Sequence, residues 1–325
     1  NAWSSGRAAA SPRHAPSGGA ALSASLSTPK RVAPSVVIKE TLKEVEMVMM
    51  GLPEGEDPGE LVMTEEHGEH THTVILLHAE GSAAEAHSRL YRRFGEIGVH
   101  CRFVFPRAPQ RKLTSVPGGP EVVCWMMPRD TSPPPGDGSM PAQYGYDAML
   151  AAGQLGAQTR RLHALLDREI ALLGGDASRV VFGGASQGGM LALHVAMSYR
   201  APLGALLCLR TMLSTDHTTP VGGEHAKTPI FVFAGGRDTI CPLHEQRASF
   251  SRLSAAGYTV EWHVEPELTH HADCLNEQRY IAYWVARASM AKGAKLSFQA
   301  AAVDALRRNL IVNKRPTSPD LPRPG

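Results

Sequence analysis

The 325-residue sequence contains no apolar run approaching the roughly eighteen residues that a bilayer-spanning helix needs, so no transmembrane segment is expected. It has no C-x-x-C pair, the spacing that structural zinc sites use. Its cysteines are Cys101, Cys124, Cys208, Cys241 and Cys274, odd in number and widely spaced. That pattern argues against a disulfide framework and for free thiols in a reducing compartment, with the cytoplasm as the expected location. Charge of one sign is also lacking: 33 Lys and Arg against 31 Asp and Glu leave a net charge of +2. Without a basic stripe, a nucleic-acid partner is not expected. No internal repeat is visible.

Acidic residues are absent from positions 1–35, which are rich in Ala, Ser, Pro and Arg. Such a segment buries little apolar surface and reads as disordered. Its composition also fits a transit peptide, which would place the protein in a plastid or mitochondrion. Residues 36–60 read as a linker that ends in the acidic turn Leu52-Pro-Glu-Gly-Glu-Asp-Pro-Gly59. A folded domain is expected over 61–290, followed by a C-terminal extension over 291–325. His67, His70 and His72 resemble a metal cluster superficially, but they lack a helical i, i+4 pair and fall in a glycine-containing turn.

What is present centres on Arg179-Val-Val-Phe-Gly-Gly-Ala-Ser-Gln-Gly-Gly-Met190. Val180, Val181 and Phe182 suit a buried strand. Gly184, Ser186 and Gly188 then fit the G-x-S-x-G nucleophile elbow, in which a sharp turn lifts the serine Oγ above the sheet. The run Met190–Met197 continues as a helix, and the Gln187 N–H in its first turn would face a developing oxyanion.

Continuous apolar runs predict further strands over Thr73–His78, His100–Phe105, Leu203–Leu209, Pro229–Ala234 and Tyr258–Val264. Helices are expected over 83–94, 148–173, 244–253 and 276–287. Alternating strands and helices imply a mostly parallel sheet with helices on both faces, an α/β fold. Residues 106–142 read as one long irregular loop, in which Trp125 and Met126 could line an acyl pocket or simply anchor the loop. A serine needs a base, and the base needs an orienting acid. Asp238 follows the strand ending at Ala234, and His270 and His271 follow the strand ending at Val264. The order Ser, Asp, His is that of α/β-hydrolases, and either histidine satisfies it.

From about residue 61 to 288 the chain resembles the acyl-protein thioesterase and carboxylesterase family of α/β-hydrolases. The residues that carry the resemblance are Gly-Glu-His-Thr before the first buried strand, Leu77-His78, Ala108-Pro109, the elbow Gly183–Gly189, Asp238-x-x-x-Pro242 and His271-x-x-Cys274-x-x-Glu277. The last spacing selects His271 as the base. The resemblance implies an α/β-hydrolase fold and cofactor-free hydrolysis of long-chain acyl thioesters or esters, protein depalmitoylation included. Substrates would be S-acylated proteins or acyl-ester lipids, met through transient contact at a membrane surface. Carboxylesterase or lysophospholipase activity is the alternative, and a catalytically silent binding protein a third reading.

Ser186 would be the nucleophile, His271 the base and Asp238 its orienter, with the Gln187 and Glu80 N–H groups as the oxyanion hole. The chain departs from the family where His78-Ala79-Glu80-Gly81-Ser82 replaces a His-Gly-Leu-Gly-Asp loop. It departs again where Ala234-Gly235 stands for His-Gly, and in the proline-rich composition of 106–142.

Overall fold

The structure, a computed structural model, describes residues 36–41, 57–65, 70–87, 101–112, 121–127, 152–213 and 223–290. Its frame is an eight-stranded sheet in the order β1-β2-β4-β3-β7-β8-β9-β10. The six strands β4 (Cys101–Pro106), β3 (His72–Leu77), β7 (Val180–Ala185), β8 (Ala205–Leu209), β9 (Ile230–Gly235) and β10 (Val260–Glu265) run parallel. At the β4 edge, β2 (Glu60–Glu65) and then β1 (Val36–Thr41) add antiparallel.

Alternation along each strand feeds two cores. Ile75, Leu77, Phe182, Ile230 and Val232 face one side, where they pack with Leu162, Leu166, Leu193 and Phe250 of three helices. Those helices are α1 (Ala152–Leu172), α2 (Gln187–Ser198) and α3 (Leu243–Ala255). Val74, Leu76, Val181, Phe231 and Phe233 face the other side, against Tyr280, Ile281 and Trp284 of α4 (Leu275–Met290). Strands buried on both faces account for the unbroken apolar runs of the sequence. No helix among the described residues is long and apolar enough to cross a membrane.

Three expectations change. Residues 36–41, read as part of a linker, form an edge strand paired with β2. Within 106–142, β5 (Gln110–Lys112) and β6 (Glu121–Val123) pair as a small antiparallel sheet, so this segment is not uniformly irregular. The expected helix over 83–94 is described only as a helical turn at 85–87, and the segments 1–35 and 291–325 lie outside the described residues.

The parallel part of the sheet begins in the chain at β3, which pairs to one side with β4 and later to the other with β7. The carboxyl ends of β3 and β7 therefore flank a topological switch point, where open α/β sheets form their clefts.

Candidate active site

Ser186 stands at the end of β7 as the N-cap of α2, with φ 52 and ψ −123, a region that non-glycine residues rarely occupy. Its N–H donates to Leu209 O at 3.0 Å, and its own carbonyl accepts from Met190 N–H and from Thr211 Oγ1. The turn is tight enough to exclude side chains on either flank. A Cβ at Gly188 would lie 2.4 Å from the His78 carbonyl oxygen, and one at Gly184 2.7 Å from that of Leu77. Both elbow glycines are therefore required by close backbone approach.

Asp238 and the histidine loop follow β9 and β10 at the same edge of the sheet. The residue between Ser186 and Asp238 is His270, not His271. Ser186 Oγ donates to His270 Nε2 at 2.8 Å, and His270 Nδ1–H donates to Asp238 Oδ2 at 2.8 Å. Asp238 Oδ1 is held in turn by the N–H groups of Ile240 and Cys241. His270 is buried, whereas His271 is exposed, with its ring perpendicular to that of His270 at 5.1 Å. The spacing counted back from Cys274 points to the neighbouring His271, because the loop between the bonded histidine and α4 is one residue longer than that spacing assumes.

The turn after β3 is closed by a bond from Ser82 N–H to Ala79 O, with Gly81 at φ +70. Gly81 N–H is already given to Val123 O, which leaves the Glu80 N–H outside the turn's own bonding. The Glu80 carboxylate accepts from Gln187 Nε2 at 3.0 Å, and partial burial of that carboxyl raises its pKa. The Gln187 side chain is otherwise saturated. Its Oε1 accepts from Trp125 N–H at 2.7 Å and Met126 N–H at 3.3 Å, and its Nε2 also donates to Met126 O.

Trp125 and Met126 are fully buried beneath this turn and do not line the cavity above Ser186. The expected acyl-pocket role is thus corrected to an anchor. An indole N–H needs an interior partner, and Trp125 finds it in the His78 carbonyl at 2.8 Å.

His78 is a further residue of the site. Ala108 N–H donates to its Nε2, so Nδ1 carries the proton and donates to Ala79 O. Burial lowers its pKa and favours that neutral form. The matched pieces Leu77-His78 and Ala108-Pro109 were the sequence trace of this brace. His70 and His72 each bond a threonine hydroxyl instead of converging on a common point, and His67 lies outside the described residues.

A cavity of about 660 Å³ opens above Ser186, walled among others by Glu80, Val122, Arg210, Ile240, His271 and Ile281. Among the described residues, Asp238, Cys241 and His270 could offer a metal three ligand atoms within 4.8 Å of one another. An ion there would compete for the His270–Asp238 bond.

Serine, histidine and aspartate are thus hydrogen-bonded in series at the elbow. Residues 59–282 match the family model described as phospholipase/carboxylesterase. The chain belongs to the phospholipase/carboxylesterase family. It is a hydrolase of that family, with the α/β-hydrolase fold. It is 28% identical to acyl-protein thioesterase 1 of Gibberella zeae over 63% of this chain and 85% of that one. Identity to a probable carboxylesterase of Oryza sativa is 27%, over 65% of this chain and 86% of that one. The crystal structure of Arabidopsis thaliana SOBER1 superposes with a TM-score of 0.53 at 25% identity, covering 67% of this chain and 98% of that one.

Proposed function

We propose that this family member is a serine hydrolase of long-chain acyl thioesters or esters, acting on S-acylated proteins or acyl-ester lipids. The observation that carries the reading is the unbroken relay Ser186 Oγ–His270–Asp238 at the cavity floor. His270 Nε2 takes the Ser186 proton as Oγ bonds to the acyl carbonyl carbon. The carbonyl oxygen becomes an oxyanion between the N–H groups of Gln187 and Glu80. Collapse breaks the bond to sulfur or oxygen, and His270 returns the proton to the leaving thiolate or alkoxide. Water then adds to the acyl-serine with His270 again as base, which releases the acid and restores Ser186. Asp238 fixes the imidazole tautomer throughout. No step needs a cofactor.

The acyl-protein thioesterases among the relatives support the thioester substrate, and the rice carboxylesterase supports the oxygen ester. A cytoplasmic location belongs to the same proposal, supported by five free cysteines, four of them buried. Fluorophosphonate labelling of the wild type, lost in Ser186→Ala, tests the mechanism. An unlabelled wild type would leave a silent binding protein. Matched acyl chain lengths on sulfur and oxygen esters then test the substrate class. A preference for short oxygen esters would favour carboxylesterase activity.

A further inference from the structure

Arg210 directly follows β8 with φ 47, in the left-handed region where a side chain is disfavoured. Its N–H donates to Phe233 O at 2.7 Å. Its guanidinium reaches across to the histidine loop. Nη1 donates to the carbonyls of His270 at 2.6 Å and Ala272 at 3.0 Å, and Nη2 donates to Glu277 Oε2 at 2.9 Å. Arg210 Nε and Glu277 Oε1 are buried without hydrogen-bond partners. A guanidinium placed only to neutralise a carboxylate would take the two-pronged geometry that satisfies both oxygens. Here one prong is turned to two backbone carbonyls of the loop instead. The neighbours of Arg210 hold the other half of the relay. Leu209 O accepts from Ser186 N–H, and Thr211 Oγ1 donates to Ser186 O. Residues 209–211 thus tie nucleophile and histidine to one strand end.

We propose that Arg210 is a positioning residue for hydrolysis, acting on His270 through its carbonyl rather than on substrate. It holds the imidazole at bonding distance from Ser186 Oγ, at a site where the backbone must adopt a strained conformation to aim the guanidinium. The inference rests on the reading of His270 as the base.

Its test is steady-state hydrolysis of p-nitrophenyl butyrate by Arg210→Gly combined with Glu277→Gln. Glycine accepts φ 47, and glutamine removes the buried charge that would otherwise be stranded. The double variant should melt near wild type, with kcat down about a hundred-fold, as an ångström of misplacement can cost, and KM nearly unchanged. Added methylguanidine should restore part of the rate. A double variant with wild-type kcat overturns the proposal, because Arg210 would then serve only to neutralise Glu277. Should the double variant melt early, Arg210→Lys carries the test. Lysine keeps the charge, but one ammonium cannot span both carbonyls and the carboxylate. Wild-type kcat in Arg210→Lys overturns the proposal, and a clear loss with unchanged KM supports it. His270→Ala, run in parallel, separates the two readings: full activity there refutes the base assignment itself, whatever Arg210 does.

Discussion

Ser186 is held chiefly by backbone, with one side-chain bond from Thr211 to its carbonyl. Its turn rests on a strand carbonyl, and the glycines beside it leave no room for a single added carbon. His270 is held by side chains: Asp238 takes its Nδ1–H, Arg210 takes its carbonyl, and Glu277 steadies Arg210. A backbone-held group is indifferent to charge and intolerant of volume. A side-chain-held group tolerates volume nearby but depends on charge and hydrogen bonds. The elbow stores its cost in an unfavourable φ of Ser186, of order 1–3 kcal/mol, and the histidine loop stores its own in burying ionisable groups.

The largest expected effect joins both regions. Ser186→Ala and His270→Ala should each lower kcat on the order of a million-fold while the fold stays intact. His271→Ala, one residue away and exposed, should leave kcat within a few-fold. Steady-state rates with melting curves check this. The reverse order for the two histidines would return the base to His271.

Gly188→Ala probes the backbone side alone. The added carbon meets the His78 carbonyl at 2.4 Å, so stability should fall by about 2–3 kcal/mol, visible in chemical unfolding. A neutral result would show that the elbow can yield. Glu80→Gln probes charge alone. It keeps an acceptor for Gln187 Nε2 and removes a negative charge beside the oxyanion. Glu80 is ionised above its raised pKa, so the gain in kcat should be a few-fold near pH 8 and should vanish in acid, where the wild-type group is protonated. A hundred-fold loss would give the carboxylate a role of its own.

An effect on stability alone lies at the opposite end of the sheet. Burial, then the Arg179 charge, lowers the pKa of His72 to about 4. The unfolded chain therefore takes up this proton first. The stability from neutral His72 is complete above about pH 6.5 and is lost as pH falls towards 4. Between pH 7 and 5 this amounts to up to about 2 kcal/mol. His72→Gln should flatten the pH dependence of the melting temperature over that interval, and an unchanged slope would refute the assignment.

The contrast also explains what the sequence made legible. The elbow was readable because strand, glycines, serine and helix are consecutive, and Asp238 because it sits directly past a strand end. The choice between His270 and His271 was not, because it depends on how many residues the loop needs to reach α4. Arg210 carried no local signal: its partners lie 60, 62 and 67 positions away. Trp125 and Met126 looked like a pocket lining because apolar side chains in a loop read alike whether they face substrate or core. The edge strand β1 and its neighbour β2 mix charged with β-branched residues, and only their pairing register identifies them.

The Gln187 amide carries one more consequence. Its four bonds join the turn at Glu80, the segment at Trp125 and Met126, and the start of α2. These pieces are separated by up to 107 positions along the chain. A folding chain can form its helices before such distant segments meet, since closing long loops is slow. Hydrolytic competence should therefore be among the last properties the molecule acquires. A chain arrested part-way, with its helices formed and its elbow glycines in place, would carry Ser186 but not the assembled surroundings of Gln187.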